Sequence, residues 1–99
     1  MRIIARGTLR DHWTRSGRGD SEAPLKAWFR DVERADWATP AEVKRDFRSA
    51  SILSDHRVVF NIAGNKYRLI VRINYPYRVV YIRFVGTHAE YDKIDASEV

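Results

Sequence analysis

The sequence contains no cysteine. That absence excludes disulfide staples, thiolate zinc sites and cysteine nucleophiles together. No apolar run approaches the ~20 residues of a membrane span, and no apolar h-region follows the N-terminus. Both observations point to a reducing compartment, most simply the cytoplasm, and to no membrane partner. No segment is low in complexity and no repeat is present, which excludes solenoids and arrays. The phosphate-cradling patterns G-x-x-x-x-G-K-[ST] and G-x-G-x-x-G are absent, as is the G-x-S-x-G nucleophile elbow. The three histidines stand 44 and 32 residues apart, so no metal site is expected, and nothing calls for a cofactor.

What is present is enough for one domain spanning residues 1–99. At this length folding buries roughly 60–65% of the extended chain's surface. The composition is 44% hydrophobic and 31% charged, as in globular rather than disordered chains. Lysine and arginine number 18 against 13 acids, for a net charge of +5. Fourteen of the cations are arginine, the better fork for phosphate and the better plane for stacking on a base. Residues 57–88 hold six cations (Arg57, Lys66, Arg68, Arg72, Arg78 and Arg83) and no carboxylate. Such a run predicts a local field suited to a polyanion.

The first half reads as helical. Arg2 to Ala5 suits a short opening strand. Thr8 is expected to cap a helix that carries Leu9 and Trp13 on one face and ends by Gly17 and Gly19. Asp20 or Ser21 opens a second helix with Pro24 in its first turn. Leu25, Trp28, Phe29, Val32 and Ala35 form its apolar stripe. Thr39-Pro40-Ala41-Glu42 signals a third helix start, with Val43 and Phe47 on its apolar side and Ser49-Ala50-Ser51 as its end. Trp13, Trp28, Phe29 and Phe47 stand at helical spacing and are expected in the core.

From Arg57 the period changes. Residues 57–62, 66–73 and 78–85 read as strands, joined by turns at Ala63-Gly64-Asn65 and Asn74-Tyr75-Pro76-Tyr77. The short turns predict an antiparallel meander. Helices followed by strands predict an α+β fold, with the N-terminal helices on one face of a small antiparallel sheet. Tyr67, Leu69, Val71 and Ile73 belong to the covered face. Lys66, Arg68, Ile70 and Arg72 belong to the other. In the last strand Val80, Ile82 and Phe84 are expected opposite Val79, Tyr81, Arg83 and Val85. Thr87 and Glu90 form a capping box, so a short helix starts at His88 with Tyr91 one turn on. The tail from Asp95 is expected to fray.

These residues suit RNA strand cleavage without a metal. A 2′-hydroxyl attacks the adjacent phosphorus while one group takes its proton, another protonates the leaving 5′-oxygen, and cations hold the growing charge. His88 fits proton transfer, since a helix N-terminus and nearby arginines favour a neutral imidazole. Tyr91 can donate a proton or stack on a base. Arg68 and Arg83 can hold the scissile phosphate. Lys66, Arg72 and Lys93 can extend the RNA-binding surface. The alternative is a non-catalytic RNA-binding module with Tyr67, Tyr75, Tyr77 or Tyr81 stacking on bases. A pure interaction protein with an acidic partner is the third possibility.

The segment from Phe60 to Ile70 (F-N-I-A-G-N-K-Y-R-L-I), with Tyr81 to Lys93 (Y-I-R-F-V-G-T-H-A-E-Y-D-K), resembles the HigB-type toxins of type II toxin–antitoxin systems. These are a branch of the RelE-like superfamily. The resemblance implies helices packed on one face of an antiparallel sheet and an mRNA interferase, commonly acting on the ribosome without a metal. It implies a helix-turn-helix antitoxin of the HigA type, through which alone the toxin meets DNA. It makes Arg68 a phosphate-binding arginine and places His88 and Tyr91 at positions that are functional in relatives. Arg83 and Lys66 follow by the same likeness. Many relatives carry more lysines in the central strands, where this chain has only Lys66, so the resemblance does not name the general base.

Overall fold

In the computed structural model, which describes all 99 residues, two halves of different periodicity build one sheet and its cover. The order is β1 (Arg2–Ile4), α1 (Arg6–Trp13), a 3-10 turn (Gly19–Ser21), α2 (Glu22–Arg34), α3 (Pro40–Asp46), β2 (Ser51–Ile52), β3 (Arg57–Ile62), β4 (Tyr67–Asn74), β5 (Val79–Thr87) and α4 (His88–Tyr91). The fold is α+β, as the switch from helical to alternating pattern predicts. No helix is long and apolar enough to cross a membrane.

α2 buries Leu25, Trp28 and Val32, with Phe29 and Ala35 half-buried at the edge of the same stripe. Glu22 in its first turn and Arg34 in its last complement the helix dipole. At α3 the Thr39 hydroxyl accepts from the Glu42 N–H at 3.4 Å, with Pro40 at the first helical position. The Glu42 carboxylate reaches back one residue further than expected, to the Ala38 N–H at 3.0 Å.

Two helix ends differ from expectation. α1 starts at Arg6 behind Ala5, not at Thr8, whose N–H instead donates to the Ala5 carbonyl at 3.1 Å. Pairing of β1 in the sheet ends at Ile4, so the chain turns into helix at once and tertiary position overrides the cap signal. α3 stops at Asp46, because Ser51 and Ile52 leave to pair with Val59 and Val58 as the edge strand β2. A two-residue strand has no period to read.

The sheet order is β1-β5-β4-β3-β2. β3, β4 and β5 form the expected antiparallel meander, while β1 adds to β5 in parallel. The β3–β4 turn holds Ala63 at φ 55° and Gly64 at φ 71°, both left-handed, which is the backbone a tight hairpin needs. The helices cover the face bearing Tyr67, Leu69, Val71 and Ile73. A bulge then alters β5: Ile70 pairs with Phe84 and Val71 with Ile82, leaving Arg83 without a partner. The alternation inverts beyond it. Val85, opposite Leu69, faces the helices, and Phe84, opposite Ile70, takes the outer face, the reverse of the expected pattern. The tail is not free either, since Arg57 on β3 donates to the Val99 carbonyl at 3.1 and 2.9 Å.

Trp37, in the connection between α2 and α3, is a core residue that the helical stripes do not announce. It is fully buried, stacks on Phe60 at 6.3 Å, meets Phe47 edge-on at 5.8 Å and donates its indole N–H to Asp46 at 2.9 Å. Trp37→Ala is expected to cost about 3–5 kcal/mol through the cavity and the lost contacts. That is a large share of the ~5–15 kcal/mol of a small domain. Chemical denaturation measures it, and a loss under ~1 kcal/mol would show that the aromatic cluster is not the centre of the core.

Candidate active site

The hairpin of β4 and β5 and the start of α4 bring the candidate residues together. Arg68 on β4 pairs with Gly86 on β5, on the face the helices leave open. A side chain on Gly86 would lie 2.7 Å from the Glu90 carboxylate and 2.7 Å from the Phe84 ring. Glycine therefore lets α4 fold down beside the strand end. Thr87 and Glu90 close the expected capping box: the Thr87 N–H donates to Glu90 at 2.8 Å and the Glu90 N–H to the Thr87 hydroxyl at 3.2 Å. The His88 N–H donates to the Lys66 carbonyl at 3.2 Å, fixing the helix to the β3–β4 turn.

Arg68, His88 and Tyr91 converge there. Arg68 Nη2 lies 3.1 Å from His88 Nε2, and the guanidinium stands 4.9 Å above the Tyr91 ring. The two rings are 6.4 Å apart. His88 Nδ1 lies 3.2 Å from an Asp92 carboxylate oxygen. A guanidinium can only donate and an ionised carboxylate can only accept. The Arg68 contact therefore places the lone pair on Nε2 and, in the neutral ring, the proton on Nδ1, which lies at ion-pair distance from Asp92. Asp92 stands behind the imidazole, one helical turn on. The sequence gives it no role beside a histidine, although its position four residues after His88 on a helix is signal enough.

Space compensates much of the charge that the sequence leaves uncompensated. Arg57 and Arg72 share Asp55 at 2.6 and 3.3 Å, Lys66 pairs with Asp20, and Arg78 meets Asp36 at 2.7 Å. All three carboxylates lie outside the 57–88 run, so four of its six cations are paired. Arg68 and Arg83 carry no carboxylate; Arg68 rests on the neutral Asn65 amide oxygen at 3.3 and 3.1 Å. Arg68 is therefore the unpaired cation at the imidazole.

The remaining residues fall at different distances from this centre. Arg83 is exposed at the bulge and makes no hydrogen bond to Arg68 or His88. Lys66 leans over the Tyr67 ring toward Asp20. Arg72 lies four residues along β4 from Arg68, held by Asp55. Lys93 is exposed just past Tyr91. Among the tyrosines offered for stacking, Tyr67 and Tyr75 are buried, and Tyr77 alone is fully open. Arg68, His88 and Tyr91 are each half-buried at the surface. A groove of about 360 Å³ lined by Arg6, Trp13, Lys26 and Phe29 lies between α1 and α2 and includes none of these residues.

Glu90 gives the site an acid-sensitive support. The Thr87 backbone N–H and then Arg18 lower its pKa from 4.5 to about 2. A depressed carboxylate stabilises the fold above its unfolded pKa and loses that contribution as pH falls. Asp20 is lowered as well, by Lys66 and Tyr67, and Asp55 by Arg57 and Arg72. The melting temperature is expected to drop as pH falls from 4.5 toward 2, and Glu90→Gln to flatten that limb. A melting temperature that rises toward acid would contradict this.

The comparisons agree with the fold. A sequence model of the family described as HigB_toxin, RelE-like toxic component of a toxin-antitoxin system, matches residues 21–94. The mRNA interferase HigB of Escherichia coli O6:H1 (strain CFT073) is 28% identical over 72 residues, which is 71% of this chain and 70% of that protein. The family match runs through the whole meander and takes in Arg68, His88, Tyr91 and Asp92. With the sheet, its one-sided helical cover and most of the chain in agreement, this protein belongs to the HigB toxin family, the RelE-like toxic components of toxin–antitoxin systems.

Proposed function

We propose that the chain is a single-domain mRNA endoribonuclease that arrests translation. Cutting without a metal, it works in the cytoplasm on messages engaged by the ribosome, and a helix-turn-helix antitoxin of the HigA type restrains it. The observation that carries the reading is the Arg68–His88 contact, with Asp92 behind the imidazole and no carboxylate on Arg68. The relative's name, mRNA interferase, supports it.

On this reading the scissile phosphate draws the Arg68 donors onto its non-bridging oxygens, away from Asn65 and His88. His88 Nε2 is then free to take the 2′-hydroxyl proton as the O2′–P bond forms, and Asp92 stabilises the imidazolium. The P–O5′ bond breaks, and Tyr91 gives the 5′-oxygen its proton. The products carry a 2′,3′-cyclic phosphate and a 5′-hydroxyl. His88 returns its proton through solvent to Tyr91. Protein groups thus supply both the base and the charge stabilisation. Lys66 and Arg72 exchange exposed carboxylates, worth about 0–1 kcal/mol per pair, for neighbouring phosphates. Arg83 and Lys93 add flanking phosphate contacts.

Expression of the chain alone is expected to arrest growth, with relief on co-expression of its antitoxin. Primer extension should find new 5′ ends on a translated message and lose them when its start codon is removed. Harmless expression with no new ends would overturn the reading; ends that persist without translation would remove the ribosome from it.

A further inference from the structure

A second polar cluster lies behind α4, with His12, Arg15 and Arg18 outside the matched 21–94 span. His12 in α1 is 2% exposed and sits edge-on to Tyr67 at 5.0 Å. Its Nε2 lies 3.3 Å from Arg18 Nη1, and its Nδ1 lies 3.0 Å from the Ser21 hydroxyl. Arginine can only donate, so Nε2 accepts and the proton is on Nδ1, donated to Ser21. Ser21 in turn donates to the Arg18 carbonyl at 2.7 Å. The ring closes on Arg18, so its side chain is fixed to its own backbone through His12 and Ser21. The same Arg18 Nη1 donates to Glu90 at 3.0 Å, on the oxygen that caps α4. Arg15 approaches the other oxygen at 3.8 Å.

We infer that Arg18 and Glu90 are positioning residues for His88, locked in place by the His12–Ser21 pair. The inference rests on the reading of His88 as the reacting imidazole. A four-residue helix has little stability of its own, so the orientation of His88 depends on what holds its cap. Burial, followed by Arg18, lowers the His12 pKa, which keeps the ring neutral and able to accept from Arg18. An ordinary exposed ion pair would not need a buried histidine and a serine to fix its arginine.

The test compares Glu90→Ala, Arg18→Gln and Glu90→Gln by imidazole ¹⁵N NMR and by cleavage of a ribosome-bound message. In the wild type His88 should show the Nδ1–H tautomer. Glu90→Ala and Arg18→Gln should shift it toward Nε2–H and lower kcat by about 10-fold to 10²-fold, with little change in KM, as expected of misplacement. Glu90→Gln keeps an acceptor at the cap and should restore most of both signals. If Glu90→Ala does not fold, Arg18→Gln and Glu90→Gln carry the comparison. An unchanged His88 tautomer in the variants overturns the inference, whether or not cleavage falls. If the wild type does not cut RNA, the proposed function fails, and the tautomer signals still decide the positioning role.

Discussion

His88→Ala is expected to lower single-turnover cleavage of a ribosome-bound message by about 10²–10⁴-fold, the usual worth of a positioned acid or base. The imidazole has one nitrogen turned to Asp92 and the other to Arg68, so its Nε2 lone pair already points at the cation that would hold the phosphate. Alanine removes that acceptor and leaves nothing of similar basicity in the cluster. Because the side chain is partly exposed, folding stability should change by no more than ~0.5 kcal/mol. Asp92→Asn keeps the shape behind the ring and removes the charge that steadies an imidazolium, so it should cost less than His88→Ala. Cleavage by His88→Ala at the wild-type rate, with the fold intact, would take the imidazole out of the reaction.

Arg68→Ala should cost about 10²–10³-fold, in the range of losing one preorganised charge stabiliser. Arg68 is the cation of the cluster without a carboxylate, and its fork reaches Asn65 and His88 at once. Arg68→Lys should recover little. A lysine offers a point charge where the site offers a planar fork, and it loses the stacking over Tyr91. By contrast, Arg72→Ala removes a cation that Asp55 already neutralises. It should mainly weaken binding and flatten the log–log salt dependence by ~0.7, one single-strand phosphate contact. Equal losses in cleavage from Arg68→Ala and Arg72→Ala would mean that the sheet acts as a diffuse basic surface.

Local patterns make much of the fold legible in the sequence. The alternation of Tyr67, Leu69, Val71 and Ile73 named the covered face, and Thr87 with Glu90 named the start of α4. Each is a relation within a few residues. What escaped depends on partners distant along the chain. β1 joins β5 in parallel, β2 is too short for a period, and Trp37 is buried by Phe47 and Phe60 rather than by a stripe of its own. The bulge at Arg83 inverted the facing of Phe84 and Val85, because strict alternation cannot foresee an extra residue. The basic run looked uncompensated in sequence, yet Asp20, Asp36 and Asp55 return to it in space. In the site, Arg68, His88 and Tyr91 could be placed on one side from their spacing, and Asp92 was legible by the same rule but unused. The Arg18–Glu90 contact joins residues 72 positions apart and has no local signature.

The central claim is that Arg68 and His88 act together on one ribose–phosphate link through its 2′-hydroxyl. A message bearing a single 2′-deoxy nucleotide at the mapped cleavage position, loaded on ribosomes and treated with the wild-type protein, tests this most directly. The account predicts no cut at that position, and on the all-ribose message a 2′,3′-cyclic phosphate upstream with a 5′-hydroxyl downstream. Cleavage of the deoxy-substituted message, or a 5′-phosphate on the downstream fragment, would contradict it.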